Sequence, residues 1–222
     1  MRSTLAVATL CGALLCAAAP LSGQTAGVSL TVGTNGPGAS VSIPVSSKLN
    51  VRLAGNYFSY PWETETEFEG DGSSSTSVAF ETDAKLQFVG GLIDWHPGAG
   101  AFRLTAGAFH NGLAGNGNIH FLEPYTVNGE VYTPEEIGEL AIEIDFDSKI
   151  APYVGMGFGN AVNSRVGFTM DLGAMYVGAP AVAMHGEGML APTAKEAAQI
   201  EENLNWVKVY PVFSIGLSAR LF

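Results

Sequence analysis

The residues that could do chemistry in this chain are charged side chains recurring at every second position. Arg52, Glu81, Asp83, Lys85, Arg103, Glu143, Asp145, Asp147, Lys149, Arg165, Asp171, Lys208 and Arg220 alternate with apolar or small neighbours. Successive side chains of a strand point to opposite faces, so this spacing gathers charge on one face. Such a face can line a polar passage or a small-solute site. It can also pair its own charges inside a narrow barrel. An eight-stranded barrel is only wide enough for its own side chains, and buried charges need partners whatever the function. The pattern therefore predicts lumen-facing charges that pair and fill the interior. Arg52, Arg103, Arg165 and Arg220 fall near the same, predicted periplasmic, ends of their strands.

Other chemistries find little support. His96, His110, His120 and His185 are scattered without metal-ligand spacing. No Gly-x-Ser-x-Gly elbow occurs. Arg2, the apolar run from Leu5 to Ala19 and the small residues before Gln24 read as a secretory signal peptide over 1–24. Cys11 and Cys16 both lie within it, so a mature chain over 25–222 has no disulfide, thiolate metal site or cysteine nucleophile. A net charge of −11 argues against a nucleic-acid partner. These readings predict no enzyme, no metal and no cofactor. Glu63, Glu65, Glu67, Glu69 and Asp71 form a second, acidic feature. It could meet cations or a basic partner, or be a solvated extension of a strand.

The elements that must position these residues are strands. Even positions from Leu140 to Phe158 are apolar except Ser148, and odd positions are charged or small, apart from Tyr153. That period of two predicts one long two-faced strand. Similar alternation predicts strands near 26–33, 39–45, 50–61, 79–96, 101–121, 139–159, 164–184 and 207–222. On the fourth, Leu86, Phe88 and Leu92 form the apolar face and Glu81, Asp83 and Lys85 the polar one. Short breaks at Ser46–Asn50, Pro97–Ala101 and Asn160–Ser164 alternate with long connections near 62–79, 122–138 and 185–206, as short periplasmic turns and longer external loops do. Asn35-Gly36-Pro37-Gly38 marks the first hairpin. Ten strands is the alternative count. Thr133-Pro134-Glu135-Glu136 and Thr193–Glu196 read as capping boxes of external helices, the second covering about 193–205.

Apolar residues make up 47% of the chain and charged ones 14%, which argues against a disordered chain. Alternation alone fits a soluble barrel as well as a membrane one. Three features favour the membrane: strands of ten residues or more, a polar face rich in glycine, and aromatics near strand ends. The aromatics are Tyr57, Phe58, Tyr60, Trp62, Trp95, Tyr153, Trp206 and Tyr210.

The terminal strand YPVFSIGLSARLF and the stretches GGLIDWHPGAGAFRLTAGAFHNG and FDSKIAPYVGMGFGNA are similar to those of small porin-like barrels. With the eight alternating segments, they make the mature chain resemble outer-membrane β-barrel proteins of the OmpA/OmpX/OmpW type. The resemblance implies a closed antiparallel transmembrane barrel in the cell outer membrane of a diderm bacterium. Its partners would be outer-membrane lipid and the barrel-assembly machinery. That machinery would read Phe213, Ile215, Leu217, Ala219, Leu221 and Phe222. Phe222 stands one residue out of phase, so either Leu221 is the terminal apolar position or a bulge re-aims the end. The expected role is non-enzymatic: structural, surface-interacting, or restricted passage of small solutes. A lipid-modifying outer-membrane enzyme and a soluble, secreted ligand-binding barrel are the alternatives. The sequence carries no signal for an oligomeric state.

Overall fold

The computed structural model describes residues 25–69, 75–127, 129–204 and 207–221. The signal segment 1–24, Asp71, Trp206 and Phe222 lie outside the described residues. Among the described residues thirteen strands run in chain order: β1 (Gly27–Gly33), β2 (Gly38–Ser46), β3 (Leu49–Glu69), β4 (Ser75–Trp95), β5 (Phe102–Asn111), β6 (Ala114–Phe121), β7 (Tyr125–Val127), β8 (Glu130–Tyr132), β9 (Glu139–Phe146), β10 (Ile150–Phe158), β11 (Val166–Tyr176), β12 (Pro180–Gly186) and β13 (Val209–Arg220).

Eight of them close a ring. Antiparallel ladders join β1–β2–β3–β4–β5–β10–β11–β13, and β13 returns to β1, with Val28 opposite Ala219 and Leu30 opposite Leu217. Closure satisfies every strand edge inside the ring. The chain is a closed antiparallel eight-stranded β-barrel with a few short helices.

The wall is uneven in height. β1 and β2 have 7 and 9 residues, whereas β3 and β4 have 21 each. Beyond the ring, the upper part of β3 continues with β4, β6, β9 and β12 as an open five-stranded sheet at the long-loop end. The expected long loop near 62–79 is thus mostly paired strand. At the first hairpin Gly36 has φ +83°, the left-handed conformation that favours glycine.

The nineteen-residue alternation from Leu140 to Phe158 is not one strand. It breaks at Asp147–Lys149 into β9 and β10. β10 pairs Ile150 with His110 and β9 pairs Ile144 with Gly115, so one extra residue sits on the β9/β10 side. A one-residue insertion flips every side chain beyond it to the other face. Even positions of β10, such as Val154, Met156 and Phe158, point outward, whereas Leu140 and Phe146 of β9 are buried. β11 and β12 flip in the same way across Val177–Ala179, where Asp147 N–H donates to Ala179 O at 3.0 Å.

The outward face of the ring is apolar. Leu30, Val51, Leu53, Ile93, Leu104, Ile150, Val154, Leu172, Ile215 and Leu217 are exposed, and Val166 reaches 73%. Trp95, Phe102 and Phe158 are exposed near the short-turn end, and Tyr176 near the other. An 11-residue strand such as β11, tilted as barrel strands are, spans about 25 Å. No helix among the described residues is long and apolar enough to cross a membrane.

The helices are short. Pro134–Ile137 carries its capping box, with Thr133 N–H donating to Glu136 Oε2 at 2.9 Å. The second expected helix begins as a 3-10 turn at Thr193–Glu196 and is α-helical over Ala197–Leu204. It packs on β12, where Val182 N–H donates to Glu201 Oε2 at 3.3 Å.

Candidate functional site

The lumen holds three stacked tiers. At the short-turn end the segment after β10 folds back inside. Ala161 and Val162 are buried, and Asn50 Nδ2 donates to Asn160 Oδ1 at 3.2 Å. His96 is buried at the same level.

The second tier is ionic. Arg52 on β3, Asp94 on β4, Arg103 on β5 and Asp171 on β11 all point inward and are at most 8% exposed. Arg52 Nε lies 2.9 Å from Asp94 Oδ2, and its Nη2 donates to Asp94 Oδ1 at 3.0 Å. Arg52 also forks onto Asp171, with both contacts at 3.3 Å. Arg103 Nη2 donates to Asp171 Oδ1 at 2.8 Å, and its Nε lies 3.7 Å from Asp94. Two cations and two anions thus alternate around a square of no net charge. Thr105 Oγ1 donates to Asp94 at 2.7 Å, Arg103 Nη2 donates to Thr169 Oγ1 at 3.0 Å, and Arg103 Nη1 donates to the Gly159 carbonyl. Forked, charge-assisted contacts of this kind fix side-chain geometry as well as charge.

The third tier is apolar. Phe88, Leu92, Phe109, Tyr153, Met175, Val177 and Val212 form a buried cluster, with Phe146, Ala151 and Ala54. Phe109 meets Phe88 and Tyr153 edge-on at centroid distances of 6.4 and 5.7 Å. Cross-strand partners Gly155 and Gly173 make room for the Tyr153 phenol. A Cβ on either would lie 2.5 Å from its oxygen.

Among the described residues, little space remains around the square. A cavity of about 30 Å³ separates the ionic square from the apolar tier, and one of about 10 Å³ lies between the square and the floor. The first has room for about one water.

Of the charges expected to face the lumen, the structure places Arg52, Arg103 and Asp171 there. The remainder need correction. Glu81, Asp83 and Lys85 are exposed on the outer face of the projecting sheet. Their strand turns its even positions inward, so Phe88 and Leu92 fill the lumen instead of facing lipid. Glu143 and Asp145 are exposed because the inserted residue reverses the phase of β9. Asp147 and Lys149 are exposed in that break, and Lys149 pairs with Asp145 at 3.0 Å. Arg165 is exposed in the turn before β11, Lys208 is half-buried before β13, and Arg220 is exposed at the end of β13. The four arginines therefore do not cluster.

Asp94 was missed. The available signal was Val89, Gly91, Ile93 and Trp95, an unbroken apolar or small face opposite Asp94. Tyr153 and Tyr210 do not face outward at the strand ends. Tyr153 is 3% exposed inside the lumen, and Tyr210 points inward against Phe88 at 5.8 Å, so neither belongs to an interfacial girdle. Glu63, Glu65 and Glu67 are exposed on the outer face of β3. On the terminal strand Phe213, Ile215 and Leu217 are exposed outward. Leu221 N–H donates to Ala26 O at 2.8 Å beyond the end of β13. Among the described residues, His110, His120 and His185 stand apart from one another, and no cluster of three metal-ligating side chains is found.

No protein-family model and no curated protein matches the chain. Solved structures do. The fold is similar to that of Acinetobacter baumannii CarO2, with a TM-score of 0.56 and 18% identity over 90% of this chain and 100% of that one. It is also similar to Acinetobacter baumannii CarO, with a TM-score of 0.54 and 20% identity over 87% and 96%. At these identities the likeness establishes the barrel fold.

Proposed function

We propose that this chain is a non-enzymatic barrel of a bacterial outer membrane, with a sealed lumen and a working surface on its projecting sheet. The single observation that carries the reading is the filled interior. The ionic square of Arg52, Asp94, Arg103 and Asp171 and the cluster around Phe88 lie across the same axis. An open pore has a water column, and the lumen around the square keeps cavities of about 30 and 10 Å³.

The outward apolar belt supports membrane placement over a soluble ligand-binding barrel, whose apolar residues would point in. The resemblance of its strands to small OmpA/OmpX/OmpW-type barrels supports the outer membrane in particular. The short-turn end is then periplasmic and the projecting sheet external.

Planar-bilayer recording tests the sealed lumen. The folded protein gives no steady conductance above the bare bilayer, and a large stable channel refutes the reading. Fractionation tests the placement: the protein is recovered with detergent-extracted outer membrane, and its band shifts on boiling.

A further inference from the structure

We propose that the upper edge of β3, from Pro61 to Glu67, is a docking edge for an extended polypeptide of another protein that alternates basic and apolar residues. Three observations converge on it. First, the ladder of β3 with β2 ends at Asn56, and beyond Tyr57 one side of the strand has no partner among the described residues. Tyr57 N–H donates to Pro37 O, away from β4, and this fixes the phase. By the period of two, the backbone groups of Ser59, Glu63, Glu65 and Glu67 face the free side. Pro61 takes the same position, where its missing N–H costs no bond within the sheet.

Second, the inner face of this edge is aromatic and exposed. Phe58 and Tyr60 stack at a centroid distance of 6.2 Å, Tyr60 meets Trp62 edge-on at 6.0 Å, and Tyr60 and Trp62 are 52% and 58% exposed. Third, the outer face carries Glu63, Glu65 and Glu67, all exposed, with Glu81 directly opposite Glu63.

An added strand gains main-chain hydrogen bonds from the edge and specificity from its alternate side chains. Here apolar residues would meet Tyr60 and Trp62 while Lys or Arg at the intervening positions would meet the glutamates. A second copy of this chain does not fit. Antiparallel pairing of two β3 edges continues one face into the same face and sets glutamate against glutamate. The competing role of such an edge is self-protection, since charges and proline on an edge also deter pairing. From the preceding reading the proposal takes only that this edge is outside the membrane, and the test below succeeds or fails wherever the barrel resides.

The test uses the folded full-length protein in detergent micelles and a fluorescein-labelled peptide of alternating lysine and valine, read by anisotropy and by amide exchange. The expected result is saturable binding and slowed exchange of the Glu63, Glu65 and Glu67 amides. A peptide of the same composition, N-methylated at alternate backbone nitrogens, binds at least tenfold more weakly. The variants E63Q/E65Q/E67Q and W62A each weaken the alternating peptide at least fivefold, while a gel shift on boiling confirms that they are folded. Equal binding of the methylated peptide, unchanged amide exchange or no binding at all overturns the proposal and leaves the edge as a guarded one.

Discussion

Arg103 and Asp171 meet inside the barrel at 2.8 Å, one from β5 and the other from β11, with β10 between them. Gly157 of β10 lies under the pair, where a Cβ would come within 2.9 Å of both Arg103 Nε and Asp171 Oδ1. The missing side chain lets a salt bridge pass over the intervening strand. Asp171→Asn leaves two guanidinium groups facing one carboxylate in a buried layer. Breaking one partner of such a pair costs about 3–5 kcal/mol. Urea unfolding in detergent is expected to show a loss of that order for Asp171→Asn and for Arg103→Met. A loss below about 1 kcal/mol would mean that water reaches the square.

Tyr153 and the pair Gly155 and Gly173 form a second interlocking unit. Gly173→Ala pushes a methyl group toward the phenol, and overpacking of this kind costs about 1–3 kcal/mol. The cost should shrink in a Tyr153→Ala background, where only the close approach of the added methyl to the Val154 carbonyl, at 2.6 Å, remains. A double-mutant cycle measures this directly, and additive losses would show that the alanine acts on the backbone instead.

The apolar tier and the ionic square occupy different heights of the lumen, so in a sealed barrel each would block it without the other. Phe88→Ala with Phe109→Ala removes two buried rings, each worth about 3–5 kcal/mol. Conductance is nevertheless expected to stay at background, because the square beneath is untouched. Adding Arg52→Ser and Asp171→Ser should open a measurable path. If the two ring deletions conduct alone, the square is not a barrier.

Beyond the ring, the hydrogen-bonded Lys149 ammonium holds the Asp145 carboxyl below its ordinary range. A depressed folded pKa stabilises the fold above the unfolded value, and the effect fades as pH falls through the folded value. Both groups are in water, so the effect on stability is small. NMR titration should find the Asp145 midpoint moving upward in Lys149→Gln. An unmoved midpoint would assign the shift to the neighbouring backbone N–H.

Much of this was legible in the chain. The eight segments, the three short turns and the Thr133 capping box all follow from local rules that act within a few residues. The phase of each face was harder to read. Phe88 and Leu92 look like lipid-facing residues, yet they fill a lumen that is itself apolar at that height. An apolar face has two destinations in a sealed barrel, and alternation does not distinguish them. Asp94 was hidden for the same reason: its neighbours in phase are Phe88 and Leu92, and its partners Arg52, Arg103 and Thr105 lie on other strands. The extra residue at Asp147–Lys149 was invisible because the residues beyond it alternate just as regularly.

That inserted residue divides the molecule into two zones with separate bookkeeping. It sits beside the break at Val177–Ala179, and Asn111 Nδ2 donates to both Ser148 O and Val177 O, so the breaks in three neighbouring strands line up at one height. The barrel below keeps its register however many residues are gained or lost above this seam. Length changes in β6, β9 and β12 should therefore be tolerated without rotating the outward-facing side chains of the ring. β3 and β4 cross the same height unbroken, and an odd insertion there would turn their part of the barrel wall inside out. The outer sheet can vary along three of its strands, and the other two hold it in phase with the barrel.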